Sequence, residues 1–194
     1  YYNNVQYSDL SNFFRIWLRL FLPDEANWGY DQYASAVFEG EGSQPGKYAG
    51  VLTQIWRECA RVLKKATGRL IFTFHHWKPE AWAELTISLK RAGFVLINRY
   101  VVLSENPTSV HIRTLKALRH DTILVLRPGT ADSECPQWSK LSRIDATDSH
   151  TFCRDCGAAL GWFLNADYLS EEQIHSEWKK LLVGEGKNDG KASG

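Results

Sequence analysis

Four stretches of the chain hold residue types able to do chemistry. His75 and His76 are adjacent imidazoles, the side chains whose charge changes closest to neutral pH. Cys153-Arg154-Asp155-Cys156-Gly157 carries the spacing of half a zinc ribbon or knuckle, and a structural zinc needs four ligands. The remainder would have to come from Cys135, His150 or His175, none of which repeats that spacing. A redox-inert pair, or a site completed by other sequence, fits the same residues. His111, Arg113, Lys116, Arg119 and His120 concentrate positive charge, which suits either a grip on DNA phosphates or a solvated loop. Finally, Tyr1, Tyr2, Asn4 and Tyr7 put aromatic and amide groups ahead of a helix, as in a ligand loop at the carboxyl end of a strand, or in a terminus with exposed aromatics.

The elements that must position these groups are set by periodicity. Leu10, Phe13, Phe14, Trp17, Leu18 and Phe21 repeat at helical spacing, so an amphipathic helix is expected over 9–21, capped by Ser8 and stopped before Pro23. Residues 23–47 have no period and read as a long surface loop. Val51, Leu52, Ile55, Trp56, Cys59, Val62 and Leu63 predict a second helix ending near Ala66, with Cys59 on its buried face. Leu70-Ile71-Phe72-Thr73-Phe74 reads as a short strand buried on both faces, because it is continuously apolar rather than alternating. His75 and His76 would then sit at its carboxyl end, where they could line a cleft or contact phosphate. Alternatively His76 starts the next helix while His75 makes a backbone bond.

Pro79 first and Gly93 last bracket a third helix. Strands are predicted over 94–103 and 122–126, joined by a polar connection and paired antiparallel. The fold class is α/β. From Thr130 the composition turns to Ser, Asp and Thr, and a small Cys-containing appendage is expected over 130–183. It ends in a helix announced by the capping box of Ser170 and Gln173. Residues 184–194 read as a disordered tail.

The 194 residues are 44% hydrophobic and 23% charged, with 23 Lys+Arg against 22 Asp+Glu. That balance excludes a polybasic protein whose whole surface binds nucleic acid, and leaves only a local basic patch for such a role. Eight Trp, eight Tyr and nine Phe supply a core and argue against disorder. Four cysteines are too few for a disulfide framework, which favours a reducing compartment. No stretch reaches the roughly 18 apolar residues of a membrane span, and the first residues lack the basic-then-apolar layout of a signal peptide. A cytoplasmic protein without membrane contact is expected, and a chain that opens on Tyr1 and lacks Met reads as cut from something longer.

The opening Tyr1-Tyr2-Asn3-Asn4-Val5 with Tyr7-Ser8-Asp9-Leu10-Ser11 and Phe13-Phe14 resembles the segment that continues the Asp-Pro-Pro-Tyr motif in large adenine-specific DNA methylases with an N-terminal domain of unknown function. The likeness continues through Arg61-Val62-Leu63-Lys64, Gly68-Arg69-Leu70, Phe72-Thr73-Phe74-His75-His76, Pro79-Glu80-Ala81-Trp82, Ala92-Gly93-Phe94 and Ser104-Glu105-Asn106-Pro107, and ends with His111 and the 123–127 strand. It covers residues 1–128, and only the ordered series is specific.

The resemblance implies the second half of a Rossmann-like methyltransferase sheet over 1–129, with S-adenosylmethionine as cofactor and DNA as partner. The missing N-terminal half of the same polypeptide would carry the Gly-rich cofactor loop. In such enzymes the motif's Asp and first Pro carbonyl hold the adenine amine, and both would precede this chain. Tyr1 would stack on the flipped base, returning about 1–3 kcal/mol of a flipping cost of a few kcal/mol. Gly40-Glu41-Gly42 follows no strand and is rejected as a cofactor loop. The isolated chain is expected to be inactive. The alternatives are an RNA or small-molecule methyltransferase, and a non-catalytic nucleic-acid-binding module with zinc at Cys153 and Cys156.

Overall fold

The structure is a computed structural model that describes residues 7–22, 46–104, 118–131 and 135–183. Its elements are α1 (Tyr7–Leu18), α2 (Lys47–Val62), β1 (Leu70–Phe74), α3 (Pro79–Arg91), β2 (Phe94–Leu103), β3 (His120–Pro128), α4 (Ser149–Asn165) and α5 (Glu171–Val183). The fold is mixed α/β. Its three strands lie in the order β1-β3-β2, and β3 pairs antiparallel with both neighbours. The expected antiparallel pairing of the last two strands is therefore present, and β1 and β2 point the same way with β3 between them.

Register decides which side chains share a face. Leu70, Phe72 and Phe74 lie opposite Leu126, Leu124 and Thr122, and Leu96, Arg99 and Val101 lie opposite the same three from the other side. A bulge between Leu96 and Asn98 keeps Arg99 on that face. This is the covered face: Trp56 of α2 stacks on Phe72, Trp82 of α3 meets Phe74 edge-on, and Thr122 Oγ1 donates to the Cys153 carbonyl of α4. The opposite face carries Ile71, 60% exposed, and Tyr100, 53% exposed. β1 thus alternates in burial rather than being buried throughout. The expectation from its continuous apolar run is corrected, because helices pack on one side only among the described residues.

Trp82 is the centre of the core. It is fully buried, with Phe74 at 4.8 Å and Trp178 of α5 stacked at 5.5 Å. Both indoles keep a hydrogen-bond acceptor, as buried polar groups must. Trp82 Nε1 donates to the His76 carbonyl at 2.8 Å and Trp178 Nε1 to Thr86 Oγ1 at 3.0 Å. Phe152, Cys153, Cys156, Leu160 and Phe163 of α4 and Ile174 and Trp178 of α5 belong to the same cluster. Residues 149–183 are therefore built into the main core rather than forming the expected appendage.

The helix ends show where sequence pattern and packing part. α1 begins at Tyr7, so Ser8 lies inside it rather than capping it, and its regular turns stop at Leu18. α2 ends at Val62 instead of near Ala66, because Leu63 turns extended and the exposed Lys64, Lys65 and Ala66 offer no apolar anchor. Its amino end has no side-chain cap of its own, and the Ala49 N–H donates instead to Glu84 Oε2 of α3 at 3.0 Å. α3 matches its Pro and Gly brackets, and Gly93 adopts φ of +72°, where an L side chain is strained. The capping box of α5 is present, with the Ser170 N–H on Gln173 Oε1 at 2.8 Å and the Gln173 N–H on Ser170 Oγ at 3.3 Å.

Two glycines of α4 allow close packing, Gly157 against the sheet and Gly161 against Trp138. A Cβ on Gly157 would lie 2.7 Å from Arg99 Cδ and 2.8 Å from Thr122 Cγ2, and one on Gly161 would lie 2.6 Å from the Trp138 ring. Gly157→Ala pits a helix-propensity gain of up to about 1 kcal/mol against overpacking of about 1–3 kcal/mol. The second should win, since Thr122 is a β-branched residue on the central strand. Urea denaturation should show a net loss of stability for Gly157→Ala, and a midpoint at or above that of the parent would contradict this packing.

Candidate functional site

β1 and β2 both end where β3 begins, which brings His75, Asp121, His120 and Arg119 to one end of the sheet. In open α/β sheets ligands bind beyond the carboxyl ends of the parallel strands. His75 directly follows β1 and Asp121 is the second residue of β3. The Nδ1 of His75 bonds Asp121 Oδ1, joining the two strands just beyond the Phe74 to Thr122 pair. Their side chains are only 23% and 16% exposed. Together with Thr73 and Phe74 they line a recess with room for about one water-sized group. With a carboxylate at Nδ1, the neutral form of the ring carries its proton on that nitrogen and its lone pair on Nε2. Nε2 has no partner among the described residues.

Successive side chains diverge at a strand end, and the two adjacent histidines accordingly do different work. His76 is buried; its Nδ1 accepts the Lys78 N–H at 2.9 Å and its carbonyl accepts the Trp82 indole N–H. Lys78 is the N-cap of α3. His76 therefore starts the helix, and its expected place in the ligand cleft is corrected. His75 bonds a carboxylate rather than the backbone, which neither sequence-based alternative foresaw.

Beside the pair, Ser149 Oγ accepts the N–H groups of Arg119 and His120 at 3.0 and 3.2 Å and lies 3.1 Å from His120 Nδ1. The His120 and His150 rings meet edge to face at 5.4 Å. Arg119 is exposed, so its guanidinium reaches solvent at the ligand end, where a phosphate contact was expected. Tyr1, Tyr2, Asn4, His111, Arg113 and Lys116 lie outside the described residues, as does the side chain of Tyr7, which opens α1. Gly40-Glu41-Gly42 and the 184–194 tail lie outside them too.

The expected zinc set does not assemble. Cys153 and Cys156 are buried in the core on α4, and Cys153 Sγ donates to the His120 carbonyl at 3.0 Å. Cys135 sits near the other end of β3, with Sγ 3.5 Å from an Arg127 guanidinium nitrogen. Among the described residues no three or more His, Cys, Asp or Glu side chains gather as metal ligands would. Burial pushes the Cys153 thiol up to about 12 and Cys156 well above the ordinary thiol range, whereas a zinc ligand must be a thiolate.

The described residues also offer no cradle for S-adenosylmethionine. Their left-handed glycines are Gly46 before α2, Gly93 between α3 and β2, and Gly129 after β3. None forms the short turn from a strand's carboxyl end into a helix that the cofactor's methionine end requires. No described helix is long and apolar enough to cross a membrane.

Asp121 is the functional candidate that sequence reasoning missed. Its one signal is a carboxylate standing directly before the apolar run Thr122-Ile123-Leu124-Val125-Leu126, a costly neighbour for a strand unless a partner holds it. Comparison with known proteins adds no assignment, since no family model, no curated protein and no solved structure matches the chain.

The thiol geometry makes a direct prediction. In native protein at neutral pH an alkylating reagent should modify the half-buried Cys59 while leaving Cys153 and Cys156 intact until denaturant is added. The folded protein holds these two protons to higher pH than the unfolded chain does, so stability should fall as pH rises above about 9, the ordinary thiol value. Native-state labelling of Cys153 or Cys156 at the rate of Cys59 would contradict their burial.

Proposed function

We propose that the chain is part of a DNA methyltransferase that modifies the exocyclic amine of adenine with S-adenosylmethionine. The observation that carries the reading is the strand arrangement: β1 and β2 parallel, joined through α3, with β3 returning antiparallel between them. That is the form expected of the second half of a Rossmann-like methyltransferase sheet with an antiparallel last pair. Beside it stands the ordered series of motifs from Tyr1 to Arg127. Among the described residues, the strand before His75 and the Pro-first helix at Pro79 belong to that series.

In this reading the chain supplies the acceptor side. The donor provides an electrophilic methyl group, and its cradle does not belong to the described residues. Tyr1 stacks on the extruded base and offsets part of the cost of flipping it. Arg119, with His111, Arg113 and Lys116 of the same connection, meets backbone phosphates, which hold the duplex without reading its sequence. His75, directly after β1, contributes a polar group to the acceptor side, and Asn4 and Tyr7 are read as further polar groups of the same cleft.

The test is methyl transfer by the intact polypeptide to adenine-containing duplexes, read as N6-methyladenine in digested DNA. Tyr1→Ala should lower the rate about 5- to 150-fold, as expected for loss of a stacking contact of about 1–3 kcal/mol, with the circular dichroism spectrum unchanged. Full activity in Tyr1→Ala removes the stacking role, and no methylated adenine from the intact protein removes the reading itself.

A further inference from the structure

We propose that the pair of His75 and Asp121 is a recognition site for an amino group of a nucleobase, with His75 Nε2 as the acceptor. The geometry sets each part of this. Asp121 Oδ1 takes the Nδ1 proton, so the neutral ring is locked as an acceptor at Nε2 and cannot present a donor there. That nitrogen has no partner among the described residues, and the ring is 23% exposed at the mouth of the recess. The recess between Thr73, Phe74, His75 and Asp121 has room for about one water-sized group, which is the size of an amino group and far less than a whole base. A base can therefore put its exocyclic amine into the recess while its ring stays outside on the open face of the sheet.

The neighbouring imidazole does not compete for this task, because His76 is committed to the Lys78 N–H and Trp82. The Trp82 bond to the His76 carbonyl also fixes the backbone one residue beyond His75, so the ring is presented from a rigid strand end. A group held this way discriminates chemically. It accepts a bond from the amine of adenine or cytosine and gains nothing from a ring position that bears only hydrogen. The resemblance places the groups that hold the reacting amine ahead of Tyr1, so the amine read by His75 belongs to a base beside the acceptor. His75 is then a specificity-determining residue of the proposed reaction.

The inference rests on the reading that the chain meets nucleic acid, and its test is kept separate from methyl transfer. In the full 194-residue chain, 15N NMR of the His75 ring at neutral pH should show a protonated Nδ1 and an unprotonated Nε2. Adenosine 5′-monophosphate should move the Nε2 resonance on titration. Purine riboside 5′-monophosphate, which has the same ring without the amine, should bind about three- to tenfold more weakly, the worth of one net hydrogen bond. His75→Leu, which removes the acceptor, should bring the ratio close to one. Asp121→Asn should lower the ratio and release the tautomer with the backbone amide spectrum otherwise kept, which covers the case in which His75→Leu fails to fold. Equal affinity for the two nucleotides, no response of the His75 ring to either, or an unchanged ratio in both variants would overturn the proposal. N6-methyladenine formation by the intact protein would still stand in any of these cases, because it is measured independently.

Discussion

The structure depends on the burial of Trp82. Its ring joins α3 to β1 and α5, meeting Phe74 and Trp178. Such a side chain brings a large apolar area together with one obligate hydrogen bond, so it can be buried only where an acceptor waits. The acceptor is the His76 carbonyl, and this couples the core to the end of the sheet that carries His75 and Asp121. The bond that satisfies the indole also holds the backbone next to His75. Packing energy and site geometry are thereby the same interaction seen from two sides.

Around that centre the molecule is a two-layer structure. Helices α2, α3 and α4 cover the face that carries Phe72, Phe74, Thr122, Leu124 and Leu126, and α5 packs behind on α3. The close seat of α4 on the sheet comes from Gly157, while Gly161 makes room for the Trp138 ring. That seat orders the other half of the ligand end, because the N–H groups of Arg119 and His120 both find Ser149 at the start of α4. The opposite face is apolar at Ile71, Ile123, Val125 and Tyr100, an unusual composition for the water side of an antiparallel sheet. The pair of His75 and Asp121 follows on from this face, at the end of β1.

Much of this was legible in the sequence, for physical reasons that can be named. β1 falls at 70–74 as expected, because a glycine stop and a dense apolar run leave little choice. The start of α5 was announced by Ser170 and Gln173, two side chains that satisfy each other's neighbouring N–H groups. α4 was missed, since its core residues include Cys153, Cys156, Gly157, Ala159 and Gly161, small groups that leave no strong apolar stripe. Its cap, Asp148 accepting the Thr151 N–H at 2.7 Å, was hidden in a run of Ser, Asp and Thr. The Cys-x-x-Cys spacing misled, because the same interval places two residues on one helical face and serves packing as well as metal binding. Asp121 was invisible for a different reason: its value lies in a partner 46 residues away, and only the β1 and β3 register reveals it.

The central claim is that ligand chemistry gathers where β1 and β2 end. Amide chemical-shift mapping of the chain with a short adenine-containing single strand tests it most directly. The account predicts shifts concentrated at residues 73–77, 118–122 and 149–151. Shifts concentrated at the other end of the sheet, around Gly93 and Gly129, or no response at all, would contradict it.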